Sequence, residues 1–118
     1  MLGFCILLEY VDGVTLKSFM DNGKLIHALA YRFVKDICVA LQYVHNKQVV
    51  HRDLKPENIM ITYNGNHVKL IDFGLSDCDD YDILKIPAGT KKYLAPELLD
   101  ANAKWDCRVD IYSLGVIM

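Results

Sequence analysis

The feature that most constrains this chain lies between residues 51 and 74. Two polar stretches, His51-Arg52-Asp53-Leu54-Lys55-Pro56-Glu57-Asn58 and Asp72-Phe73-Gly74, bracket two short apolar runs, Ile59–Thr62 and His67–Ile71. Asn64-Gly65 between the runs is a hairpin signal, because both residue types tolerate the positive φ that a tight β-turn needs. A hairpin closed by a two-residue turn brings its far ends together, so Asn58 and Asp72 are expected to face one another. Two oxygen-bearing side chains converging on one spot suit a hard cation such as magnesium. Asp53 lies at the same mouth, within reach of a substrate hydroxyl. Lys55 adds a point charge beside it, suited to a phosphoryl group in transfer.

The rest of the chain supplies elements around that hairpin. Residues 4–11, FCILLEYV, read as a strand buried on both faces, followed by a turn at Asp12-Gly13. Thr15 is placed to cap a short helix, Leu16 to Met20, that Asp21-Asn22-Gly23 stops. From His27 to His45, Ala30, Val34, Ile37, Leu41 and Val44 recur three to four residues apart, which predicts an amphipathic helix of five turns. Val49-Val50 is a very short strand, 74–92 a long loop, Pro96–Leu99 a short helix, and Asp110–Met118 an apolar helix. The four cysteines, at 5, 38, 78 and 107, form no CxxC pair, which argues against zinc and a disulfide framework and for a reducing, intracellular, cytoplasmic setting. The apolar run Met1–Leu8 is too short to cross a bilayer and has no basic flank, so neither a membrane span nor a signal peptide is expected. With 13 Lys and Arg against 15 Asp and Glu, a nucleic-acid partner is not expected either.

Four motifs in order make the chain resemble the eukaryotic-type protein kinase family, in its serine/threonine branch: HRDLKPEN, DFG, GTKKYLAPE at 89–97 and VDIYSLGVIM at 109–118. The resemblance implies an α+β, protein kinase-like fold present in part. Residues 1–11 would be the last small-lobe strand and hinge. Residues 12–118 would be the first part of a mainly helical large lobe carrying the catalytic-loop hairpin and ending inside its central helix, with the small lobe largely absent.

The same resemblance implies roles. Asp53 would be the catalytic base, Lys55 would neutralise the transferred phosphoryl, and Asn58 and Asp72 would hold Mg2+ on the ATP phosphates. Thr90 would hydrogen-bond to Asp53 and Lys55. Glu9 and Val11 would meet adenine through the backbone, with Leu8 as gatekeeper, Leu16 and Met60 packing on the ring and Thr15 near the ribose. Asp110 resembles a buried aspartate that anchors the catalytic loop near His51. His51 and Phe73 would stack between the lobes, and Glu97 would pair with an arginine late in the large lobe.

The implied reaction is transfer of the ATP γ-phosphoryl group to a Ser/Thr hydroxyl of a protein. The family's Gly-rich loop, phosphate-clamping lysine and regulatory-helix glutamate have no counterpart here, so the chain is expected to be part of a longer domain. The alternative is a non-catalytic kinase remnant that serves as a binding or scaffold piece. Between Asp72 and Thr90 the only hydroxyls are Ser76 and Tyr81, and an acidic cluster at 77, 79, 80 and 82 takes their place. Either one of Asp79, Asp80 or Asp82 meets Arg52 where the family places an activating phosphate, or the cluster is a solvated acidic loop.

Overall fold

Gly13 stands in a strand where the sequence predicted a turn. A Cβ at that position would come within 2.1 Å of the Ile61 carbonyl oxygen, so only glycine permits the close approach of the two backbones. The computed structural model describes residues 3–73, 77–78, 91–100 and 102–118. Strand β1 (Gly13–Thr15) pairs antiparallel with β3 (Ile59–Thr62), which pairs antiparallel with β4 (Val68–Leu70), giving the order β1-β3-β4. The second sheet joins β2 (Val49–Val50) to β5 (Asp77–Cys78), antiparallel. A two-residue strand therefore stands inside the region read from sequence as loop. Two residues carry too little pattern to be seen.

The hairpin β3-β4 has the register that Asn64-Gly65 implies, with Ile59 opposite Leu70 and Ile61 opposite Val68. Its loop is longer than two residues, however. Thr62 and His67 close it, the Thr62 N–H donating to the His67 carbonyl at 2.9 Å, and Gly65 and Asn66 both take positive φ. Arg32 reaches from helix α2 (His27–Asn46) to donate to the carbonyls of Gly65 and Asn66, tying the loop to the helix.

Helix α1 (Leu16–Asp21) starts as the sequence predicts, the Thr15 hydroxyl accepting the Ser18 N–H at 3.1 Å. In α2 the buried residues are Phe33, Ile37 and Leu41, while Ala30, Val34 and Val44 are only partly covered, so the buried stripe is turned slightly from the predicted one. The reason is Phe33, which meets Phe19 of α1 edge to face at 5.4 Å and draws the helix face toward it. These residues, with Leu16, Leu54, Ile59, Ile61 and Leu114, form the main core beneath the hairpin. A second cluster of Val50, Ala95, Leu98 and Val109 lies under the segment that leads into helix α3 (Arg108–Ile117). Residues 96–98 form a 3-10 turn where a short helix was predicted.

Residues 4–11 form no strand, which corrects the sequence reading. Phe4, Ile6, Leu7, Leu8 and Tyr10 are exposed. Strand-forming composition needs a hydrogen-bonded neighbour, and among the described residues none runs beside this segment. No helix among the described residues is long and apolar enough to cross a membrane.

Candidate active site

Asp110 organises the polar segment ahead of β3. Its carboxylate has no exposed surface. It accepts the His51 backbone N–H at 2.9 Å on Oδ2 and the Arg52 backbone N–H at 3.0 Å on Oδ1. His45 Nε2, near the end of α2, lies 2.8 Å from Oδ2. A buried carboxylate is tolerated only when so satisfied. The two backbone bonds hold a turn in which Arg52 takes φ 70°, a left-handed conformation disfavoured for a side chain of this size.

His51 carries that order toward the hairpin. Its Nδ1 accepts the Asp53 N–H at 3.1 Å, so Nε2 bears the proton and donates it to the Ile71 carbonyl at 2.8 Å. The ring lies 4.6 Å from that of Phe73, tilted by 58°. The buried imidazole is thus a structural cross-link between the two polar loops, consistent with the stacking expected of the pair.

Asp53, Asn58 and Lys55 converge. The 3-10 turn Pro56–Asn58 swings Asn58 back, and its Nδ2 donates to the Asp53 carbonyl at 2.8 Å and to Asp53 Oδ2 at 3.1 Å. Lys55 Nζ lies 3.8 Å from Asp53 Oδ2. Because Nδ2 is spent on Asp53, the atom Asn58 can offer a ligand is its carbonyl oxygen. The expected pairing with Asp72 is off by one residue. The Ile71 N–H donates to the Asn58 carbonyl at 3.0 Å, so Ile71 stands opposite Asn58 and Asp72 follows it at φ 59°. The turn at Asn64-Gly65 already implied this register, since 58 and 71 lie equally far from its centre.

Asp72 lines a cavity of about 560 Å³ with Leu8, Glu9, Val11 and Phe73. Glu9 forms an ion pair with Lys69 on its rim. Thr15 and Met60 stand directly opposite each other across β1 and β3. Leu16 is buried in the main core and faces a groove with Phe33, Ile37 and Leu114, so the structure does not bring it to the cavity that Leu8 lines. Thr90 and the acidic residues Asp79, Asp80 and Asp82 lie outside the described residues.

The donor set fits an oxygen-seeking divalent cation: one amide oxygen, from Asn58, and one exposed carboxylate, from Asp72. Magnesium binds through few protein ligands and completes its shell with phosphate oxygens and water. Among the described residues no group of three or more His, Cys, Asp or Glu forms a denser metal cluster. Two contributors escaped the sequence reading. His45 gave no signal beyond standing near a helix end, and Trp105, whose ring lies under the Arg52 guanidinium, gave none at all.

A family model described as the protein kinase domain matches residues 3–118. The serine/threonine-protein kinase ppk25 of Schizosaccharomyces pombe is 44% identical over 115 residues, covering 96% of this chain and 27% of that protein. A probable serine/threonine-protein kinase, a KIN1 homolog of Enterocytozoon bieneusi, is 44% identical over 117 residues, 98% of this chain and 20% of its own length. The Aurora kinase of Candida glabrata is 39% identical over 114 residues, 95% of this chain and 31% of its own. The chain therefore spans less than a third of the length of these relatives.

Proposed function

The chain belongs to the serine/threonine protein kinase family, and on that premise we propose that its protein transfers the γ-phosphoryl group of ATP to a Ser or Thr hydroxyl of a protein substrate. The observation that carries the reading is the convergence of Asp53, Lys55 and Asn58 on one point, held in place through Asp110 and His51. Asp53 is the base, its carboxylate accepting the proton that the attacking hydroxyl loses. Lys55, beside it, offsets charge on the phosphoryl oxygens. Asn58, through its amide oxygen, and Asp72 hold Mg2+, which when bound neutralises the nucleotide phosphates.

Leu8, Glu9 and Val11 form the wall that receives adenine, with Met60 beneath the ring and Thr15 toward the ribose. The cavity they share with Asp72 supports this assignment for the first three. Leu16 acts as core support for that floor. Thr90, outside the described residues, is assigned by its Gly-Thr motif alone as the partner that would hydrogen-bond to Asp53 and Lys55. The segment up to residue 11 serves as the hinge, with residues 3–11 outside any strand in this structure, and 12–118 as the first part of the large lobe. The protein works in the cytoplasm, a reading supported by free, exposed Cys5 and Cys38.

The experiment is a magnesium-dependent ATP-binding and phosphoryl-transfer assay on the full-length protein, with Asp53→Asn and Asp72→Ala beside it. Transfer by the wild type and its loss in both variants supports the reading. Absence of both binding and transfer in the wild type leaves a non-catalytic binding piece.

A further inference from the structure

Arg52 is held at both ends by one short segment of chain. Its backbone N–H meets Asp110 Oδ1 at 3.0 Å, and its guanidinium lies over the Trp105 indole, 5.2 Å from the ring centroid. Trp105 is itself partly buried against the cluster of Val50, Ala95, Leu98 and Val109, so its ring is braced from behind. A guanidinium stacks on an aromatic face through its flat shape and spread charge, which an ammonium matches poorly. Arg52 also sits at φ 70°, and a strained turn persists only where contacts around it outweigh the strain.

We infer that Trp105 is a positioning residue for the catalytic loop: by seating the Arg52 side chain it steadies the left-handed turn from which Asp53 projects. It acts through Arg52 and takes no part in the chemistry. Its effect on phosphoryl transfer rests on the kinase reading, whereas the contact itself does not.

Trp105 is the single tryptophan of the 118 residues, so in the full-length protein, with any tryptophan outside them replaced by Phe, its fluorescence reports the contact directly. Arg52→Met keeps a side chain over the ring and removes the charge. Iodide should quench the wild-type chain at least about 1.5-fold more strongly than Arg52→Met, because the guanidinium concentrates the anion near the indole. Acrylamide, being neutral, should separate the two far less. Equal iodide quenching would overturn the contact.

In the full-length protein, Trp105→Ala should lower kcat about three- to tenfold with little change in KM for ATP. Trp105→Phe should restore most of the loss. In an Arg52→Ala background, Trp105→Ala should cost nothing further. Additive losses, or a Phe variant as poor as Ala, would overturn the positioning role. Hydrogen exchange at the Arg52 and Asp53 amides of the same variants decides the point independently of catalysis: faster exchange in Trp105→Ala supports it, and unchanged exchange overturns it. A wild type that transfers no phosphoryl group would sink the kinase reading while leaving the quenching and exchange results to judge this one.

Discussion

The buried carboxylate of Asp110 accepts the backbone N–H of His51 at 2.9 Å, joining the start of one polar loop to a helix 59 residues away. The same carboxylate takes the Arg52 N–H and lies against His45. One side chain thus satisfies three groups from two parts of the chain and fixes the turn that leads into Asp53.

Replacing Asp110 by Ala should leave two buried N–H groups without acceptors and destabilise the fold by about 2–5 kcal/mol. Asp110→Asn keeps one acceptor oxygen and should cost less. Urea denaturation of both variants measures the order, and an Ala variant as stable as Asn would contradict the role assigned to the second oxygen.

The two aspartates of the proposed active site should fail in different ways. Asp53→Asn should reduce kcat at least about 100-fold while ATP binding persists, because proton acceptance is lost while the residues assigned to the nucleotide and Mg2+ are unchanged. Asp72→Ala should raise the Mg2+ concentration needed for ATP binding. Titrating ATP at several Mg2+ concentrations separates them; a similar Mg2+ requirement in Asp72→Ala and wild type would remove Asp72 from the metal site.

Two glycines should respond to Ala with opposite signs. At Gly13 the new Cβ would press on the Ile61 carbonyl, and the substitution should destabilise the chain by about 1–3 kcal/mol as β1 is pushed from β3. At Gly115, inside α3, nothing lies within 4 Å, and Ala should stabilise by about 0.5–1 kcal/mol through helix propensity. Thermal melts of the pair check both signs, and a Gly13→Ala variant as stable as the wild type would contradict the need for glycine there.

Asp106 gives α3 a weak dependence on acid. Its hydrogen bonds from Arg108, side chain first and then backbone, hold the carboxyl below its ordinary value of 3.8. A lowered folded pKa means that the stabilisation is complete above that ordinary value and disappears as pH falls through the lower folded one. The pair is solvent-exposed, so the acid-dependent drop in melting temperature should be no more than about 4 °C. Asp106→Asn should remove that part of the slope between neutral pH and pH 3, and an unaltered slope would contradict it.

Local pattern made much of this legible. The 3.6-residue period marked α2, Thr15 marked the start of α1, and the Asn-Gly pair marked the hairpin, although setting Asn58 opposite Asp72 missed its register by one residue. Residues 4–11 misled because strand composition says nothing about whether a partner strand lies alongside. Gly13 misled because a glycine needed for close approach looks the same in sequence as one needed for a turn. Leu16 was assigned to the nucleotide, yet its burial depends on α2 and α3, which approach it only in three dimensions.

The sequence by itself singled out the residues proposed to carry the chemistry. Asp53, Lys55, Asn58 and Asp72 sit in short motifs whose spacing is local, and the family follows from the order of those motifs. Only the tertiary structure decided how they are held. The Nε2 tautomer of His51, the left-handed turn at Arg52, the His45 contact on the Asp110 carboxylate, and the indole beneath Arg52 all depend on residues far apart in the chain. Such contacts arise from packing rather than from neighbouring residues, and no period or spacing records them.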